Sequence, residues 1–400
     1  MLPEISRRTF MSTAVAGAVT AASAGRVMGA NDRIRLGIVG TGGRGTYLMR
    51  EANKIGGIEW VAVCDAWDVR RDQGAGVAGV SLAKDGDYRK LLDRRDIDGV
   101  IVATWDNTHA QITVDACRAG KDVYVEKPMT STPMQGHDVT RAVRETGRIV
   151  QVGVQQRSMA NFIEAKQKFF DTGAIGEVHM VRTIWNANSG YLTPVPPGMD
   201  QKPEGLDWEA CLGSLPRLPW DPKRYFNRFA YWDISSGGQT GGLFVHMVDV
   251  VHWFLGLEKP ISAVALGGIY QYPDGRDTPD NINAVLDYPQ KLTVTFEASL
   301  TDMIPRGAAD IVFLGSGGRL SIFRGGYTFL PAKKNEAMGE AKGPGAPEGV
   351  HVKNWLDCMR SRKQPNADAV SGHYSSMACH IVNIAYKYQT RVIWQKEWDV

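Results

Sequence analysis

Ile34-Arg35-Leu36-Gly37-Ile38-Val39-Gly40-Thr41-Gly42-Gly43-Arg44-Gly45 is a short apolar strand that runs directly into a glycine-rich turn. Helix-compatible residues follow to about Asn53. Strand, GxGxxG turn and helix in this order form the fingerprint of a dinucleotide-binding βαβ unit. Gly40 permits the tight turn, Gly42 lets the backbone approach a pyrophosphate, and Gly45 lets helix and strand pack closely. Thr41, Gly43 and Arg44 complete the loop whose backbone N–H groups face the phosphates at the helix N-terminus. A second strand, 58–64, ends at Asp65, twenty residues beyond Gly45. A carboxylate there accepts the ribose hydroxyls and repels a 2′-phosphate, so NAD is expected in preference to NADP.

The alternation continues down the chain. Strands are expected at 99–103, 121–125 and 148–152, with helices over 108–119 and 132–146, each closed by a glycine. Strands alternating with helices imply a parallel, doubly wound sheet whose ligand lies at the carboxyl ends of the strands. The run Gly315-Ser316-Gly317-Gly318-Arg319-Leu320 is also glycine-rich, but Leu320 stands where the last glycine belongs and strand-forming residues flank it. It reads as a hairpin turn.

The chain has 400 residues, enough for more than one domain. Forty-six basic and 43 acidic residues leave a formal charge of +3 and no basic block, which argues against a nucleic-acid binder. The five cysteines are widely spaced and odd in number, so neither a disulfide framework nor a structural zinc site is indicated. No run of eighteen apolar residues occurs, and no stable membrane insertion is expected. The start of the chain has a different character. Ser6-Arg7-Arg8-Thr9-Phe10-Met11 precedes an Ala-rich run with a candidate cleavage site at Ala22-Ser23-Ala24. This resembles a twin-arginine signal, so residues 1–30 are assigned to a leader and the protein is expected in the periplasm or otherwise exported.

Two strand ends carry unusual chemistry: Ala103-Thr104-Trp105-Asp106-Asn107-Thr108-His109 and Tyr124-Val125-Glu126-Lys127-Pro128. A lysine at the carboxyl end of a Rossmann strand points at the nicotinamide region. Glu-Lys-Pro at this place resembles the Gfo/Idh/MocA family, the glucose–fructose oxidoreductase and inositol dehydrogenase relatives. The resemblance extends to Gln151-Val152-Gly153-Val154-Gln155-Gln156-Arg157, to Gly237-Gly238 through His246-Met247-Val248-Asp249, and to the segment 354–362.

The resemblance implies an α/β Rossmann domain at 31–155. It also implies an α+β substrate-binding and oligomerisation domain at 156–400, built on a large, mostly antiparallel sheet. Strand-like runs at 177–186, 261–270, 281–288, 292–300, 309–314 and 320–323 agree, after a helix at 158–171. The Gly/Pro-rich stretch 341–349 reads as a loop before C-terminal helices. A homodimer or homotetramer is implied in the same way.

The catalytic residues carried over are Lys127 and His246, which handle a proton while hydride passes to NAD. Asp249, one turn after His246, is expected to orient the imidazole or a substrate hydroxyl. Thr104, Asn107, His109, Glu126 and Lys127 join the glycine loop and Asp65 as the cofactor set. Gln155, Arg157, Tyr225 and Arg228 are the substrate-side candidates for a carbohydrate or polyol. No metal is expected, since His246, Asp249 and His252 lack known zinc spacings. One departure from the family pattern stands out: many relatives carry an aspartate four residues before the histidine, where this chain has Gly242.

Three functions remain open on these residues. The first is NAD(P)-dependent oxidation or reduction of a sugar or polyol carbinol with a tightly held cofactor. The second is a redox-neutral glycosidase or lyase that oxidises sugar C3 transiently. The third is a non-enzymatic nicotinamide or sugar sensor. Export favours a resident cofactor regenerated in place, because free NAD is expected to be scarce outside the cytoplasm.

Overall fold

The computed structural model describes residues 33–79, 82–187, 192–301, 311–333, 338–343 and 348–400. The leader at 1–30 lies outside the described residues. The first domain is a six-stranded, wholly parallel sheet: β1 (Ile34–Val39), β2 (Ile58–Cys64), β3 (Ala83–Asp85), β4 (Gly99–Val102), β5 (Asp122–Val125) and β6 (Val150–Val152). Their order is β3-β2-β1-β4-β5-β6. β1 and β4 read as near-continuous apolar runs because helices cover both faces of the sheet. The strand order reverses its progression between β1 and β4, which opens the crevice where such sheets bind ligands. β3 escapes sequence patterning because it is only three residues long and half-buried.

The second domain is a nine-stranded sheet: β7 (Val178–Asn186), β8 (Ser262–Gly268), β9 (Asn281–Tyr288), β10 (Leu292–Ser299), β11 (Ile311–Gly315), β12 (Gly318–Phe323), β13 (Gly326–Pro331), β14 (Gly339–Lys342) and β15 (Val392–Ile393). The order is β14-β13-β12-β11-β7-β10-β9-β8-β15, and every junction is antiparallel except β7–β10. The mixed, mostly antiparallel sheet matches the expectation, as does the β11–β12 hairpin across Gly315–Gly318. Strict alternation in β10, with Leu292, Val294, Phe296 and Ala298 buried, turns one face toward the helices Val245–Leu255 and Ala369–Tyr388. The opposite face leaves Val264, Leu266 and Val285 exposed.

Two expectations change. The helix expected at 158–171 is a 3₁₀ turn (Gln155–Ser158), an α-helix (Ala160–Ala165) and a π-helical continuation (Lys166–Asp171). The stretch 341–349, expected as a loop, takes in the end of β14 and the first two residues of the helix Glu348–Ser361. That helix returns to the first domain. Its Val352, Trp355, Leu356 and Met359 pack with Leu36, Leu48, Met49, Ile101 and Tyr124 on one face of the parallel sheet.

Candidate active site

The glycine loop has the geometry its sequence requires. Gly40 sits at φ +91°, and a Cβ there would stand 2.5 Å from the Ala103 carbonyl oxygen. A Cβ on Gly45 would stand 1.9 Å from the Gly40 carbonyl oxygen. Gly42 and Gly43 face open space, and a Cβ on either would meet nothing within 4 Å. The first pair therefore builds the turn and the second pair leaves the cradle clear, which fits a dinucleotide pyrophosphate. Gly42→Ala tests this directly, because its φ of −66° suits any residue. The apo fold is expected to melt unchanged while NAD affinity falls at least about tenfold, read by calorimetric titration. Equal NAD affinity would remove Gly42 from the cradle.

Asp65 closes the other side of the turn. Its Oδ2 accepts from the Thr41 N–H at 2.7 Å, and Oδ1 accepts from the Trp67 N–H at 3.0 Å. Burial raises its pKa, and those hydrogen bonds work against the rise.

A strap from the second domain, residues 205–229, covers this crevice. The Gly205 carbonyl accepts from Asp68 N–H, and Asp207 N–H donates to the Ala66 carbonyl at 2.9 Å. Leu206 bridges Trp67 as an isolated β pair. Asn107 Nδ2 donates to the Leu212 carbonyl at 2.8 Å, and Arg228 pairs with buried Asp106 at 2.9 Å. Trp67, Trp105, Trp208, Trp220 and Tyr225 meet edge-on or tilted, with centroids 5.2–6.4 Å apart. Between strap and glycine loop lies a cavity of about 1070 Å³, at the upper end of the roughly 300–1,000 Å³ range of ligand pockets. Sequence reasoning misses this strap, because its aromatic partners lie on both domains.

Lys127 and His246, the expected proton-transfer pair, stand where the first domain meets the helix Val245–Leu255. Lys127 follows β5, and its Nζ donates to the Gly242 carbonyl at 2.7 Å. Burial lowers the ammonium to about 8; Asp106 and Glu126 oppose the shift, while Arg228 and Arg44 add to it. His246, in the first turn of the helix Val245–Leu255, is buried and held well below its ordinary pKa, first by burial and then by the Lys127 charge. Its Nδ1 has no hydrogen-bond partner among the described residues. A partly buried lysine poised near neutrality beside a neutral imidazole can exchange a proton with a bound hydroxyl.

Comparison with known proteins places the two domains in a family. Residues 34–154 match a profile described as the oxidoreductase family, NAD-binding Rossmann fold, and 216–321 match the Gfo/Idh/MocA C-terminal domain. Inositol 2-dehydrogenase 3 of Saccharopolyspora erythraea is 33% identical over 303 residues, 69% of this chain and 86% of the relative. The chain belongs to the Gfo/Idh/MocA family. Inositol 2-dehydrogenase of Salmonella typhimurium is 33% identical over 166 residues, 40% of this chain, and that match spans about half (49%) of the Salmonella protein. A solved levoglucosan dehydrogenase in complex with NADH superposes at a TM-score of 0.71 with 16% identity, over 90% of this chain and 99% of the other. The WlbA dehydrogenase from Bordetella pertussis, in complex with NADH and UDP-GlcNAcA, superposes at 0.69 with 18% identity, over 91% and 99%. Both likenesses speak to the fold alone.

Within this family frame, the remaining candidates divide. Tyr225 and Arg228 line the cavity from the strap, and Thr104 and Asn107 line it from the first domain. His109 is buried and braces two loops, with Nδ1 2.8 Å from the Pro128 carbonyl and Nε2 3.3 Å from the Thr104 carbonyl. Glu126 and Arg44 pair at 2.8 Å, and Arg44 also reaches Glu348 at 3.3 Å. The geometry redirects the other three. Asp249 is fully buried, its Oδ2 accepting from Arg157 Nε at 2.8 Å and its Oδ1 from Ser375 Oγ at 2.8 Å. Gln155 is buried and donates to Glu348 Oε1 at 3.1 Å. A buried charge must be paired, so Asp249 and Arg157 satisfy each other instead of presenting themselves to imidazole and substrate. Glu348 escapes sequence reasoning because its partner Arg44 lies 304 residues away.

Proposed function

We propose that this chain is an NAD-dependent oxidoreductase acting on a carbinol of a sugar or polyol, with its dinucleotide held captive beneath the strap. The hold of Lys127 Nζ on the Gly242 carbonyl, four residues before a His246 whose pKa the Lys127 charge lowers, carries the reading. Bound NAD supplies the hydride acceptor. Lys127 in its amine form takes the hydroxyl proton, and neutral His246 hydrogen-bonds the same oxygen. Asp65 disfavours a 2′-phosphate, which supports NAD over NADP. The inositol dehydrogenases among the relatives support a polyhydroxylated substrate.

The strap supports a tightly held cofactor. Opening it breaks main-chain hydrogen bonds, a buried ion pair and a five-ring cluster in which each pair contributes about 0.5–1.5 kcal/mol. A captive cofactor also favours the redox-neutral reading, in which transient oxidation of a sugar carbon permits elimination, water addition and return of the hydride. Export by the twin-arginine route, proposed from residues 6–11, fits a protein that leaves the cytoplasm already loaded. The exposed Val264, Leu266 and Val285 on the open sheet face support a homo-oligomer.

The deciding experiment denatures gel-filtered protein and weighs what is released. One NAD per chain is expected. Cyclitols and sugars are then assayed for NADH, and glycosides for cleavage without net NADH. NADH formation supports the dehydrogenase; cleavage without it favours the redox-neutral route. Release of no nucleotide, with weak rebinding of added NAD, overturns the captive cofactor.

A further inference from the structure

Lys127 has an unusual acceptor. Gly242 lies in a π-helical turn, Thr240–Phe244, that leads into the helix Val245–Leu255. Such turns release carbonyls from the helical ladder and recur at functional sites. Here the Gly242 carbonyl accepts from Lys127 Nζ at 2.7 Å. None of the ion pairs among the described residues involves Lys127. A carbonyl holds the ammonium in place but cannot take its proton.

The second wall of this seat is an aromatic ring delivered by the strap. Lys127 Nζ lies 5.8 Å from the Phe229 ring centroid, and Arg228 lies 4.5 Å from the same centroid. The Phe229 main chain is tied down where Thr278 Oγ1 donates to its carbonyl at 2.9 Å. The ring fills the space beside Gly242: a Cβ there would stand 2.7 Å from Phe229 Cε1 and 3.1 Å from Cδ1. Ring and side chain at 242 therefore exclude each other.

We propose that Phe229 and the side-chain-free Gly242 form one seat for Lys127, with Phe229 a positioning residue that keeps water from the amine and holds it on the Gly242 carbonyl. The proposal rests on the assignment of Lys127 as the proton-transfer group. It adds that the strap completes the reactive end of the crevice as well as covering the cofactor. The charged groups around Lys127 are Asp106 and Glu126, which favour its ammonium form, and Arg228 and Arg44, which oppose it. His246 and the Cys379 thiol also lie within range of its charge. Loss of the ring admits water and returns the amine toward ordinary lysine behaviour.

The test reads Lys127 itself and needs no substrate. Full-length protein carrying 13Cε-lysine is titrated by NMR, with Lys127 assigned by its absence in Lys127→Met. Wild type is expected to titrate near 8. Phe229→Ala should raise the midpoint by about one unit or more, a tenfold change in proton affinity. Phe229→Tyr, which keeps the ring, should stay within a few tenths of wild type. Gly242→Ala should act like Phe229→Ala by displacing the ring, and the double variant should add little to either. A wild-type midpoint near 10.5, equal midpoints for the Ala and Tyr variants, or additive shifts in the double variant would each overturn the seat. A protein that titrates as expected yet oxidises no carbinol would instead sink the functional reading and leave the seat standing.

Discussion

Replacing Lys127 with methionine is expected to lower turnover by about three orders of magnitude while the bound NAD stays in place. The side chain reaches the Gly242 carbonyl across the join between domains, away from the glycine loop. Its loss removes the proton acceptor and spares the cradle at Gly42 and Gly43. The pH dependence of the wild type follows in sign. Lys127 is held near 8, so its amine form accumulates as pH rises through that value. The kcat/KM for carbinol oxidation should climb with pH and level off above about 8. Lys127→Arg restores a cation but not a base, since guanidinium stays protonated, and should not rescue turnover. Steady-state kinetics with released-nucleotide counts checks both parts. A Lys127→Met protein that turns over normally would leave the lysine a bystander; a sensor would show no turnover in either protein and unchanged ligand binding.

Acid should unfold this protein early. Six of its eight histidines, His109, His246, His252, His351, His373 and His380, are buried and held below the ordinary value of 6.5. Burial is the largest cause in every case, bringing His351 and His373 to about 4 and His252 and His380 to about 3. The folded chain therefore refuses protons that the unfolded chain binds below pH 6.5, and stability falls as pH falls through that point. At pH 5.5 each histidine held well below that value in the folded chain costs on the order of 1 kcal/mol. Several together are comparable with the ~5–15 kcal/mol that holds a typical fold. A drop of roughly 10 °C or more in Tm is expected between pH 7.5 and 5.5. A flat profile over that interval would mean the imidazoles are protonated in the folded state.

What can be read from the chain is local. Gly40, Gly42, Gly45 and Asp65 lie within a single strand–turn–helix–strand unit, so their spacing already contains their geometry. Lys127 is legible because Glu126 and Pro128 flank it at a strand end. Sequence reasoning is blind where two distant polar groups settle each other. Arg157 and Asp249 resemble substrate and catalytic residues because nothing in either neighbourhood reveals an ion pair across 92 residues. Gln155 is drawn toward Glu348 in the same way. The strap is harder still. Trp208 and Trp220 have the look of ordinary core, and only folding brings them against Trp105 and Tyr225 from separate elements.

The helix Glu348–Ser361 has a bearing on biogenesis. The parallel sheet is laid down early in translation, yet one of its faces is capped by Val352, Trp355, Leu356 and Met359. A ribosome that has made only the first six strands exposes Leu36, Ile101 and Tyr124, which those residues later cover. The amino-terminal half thus reaches its finished state only after synthesis has passed Ser361. A fragment cut after β6 should emerge as an aggregation-prone species, and nascent chains stalled before Glu348 should be clients of holdase chaperones.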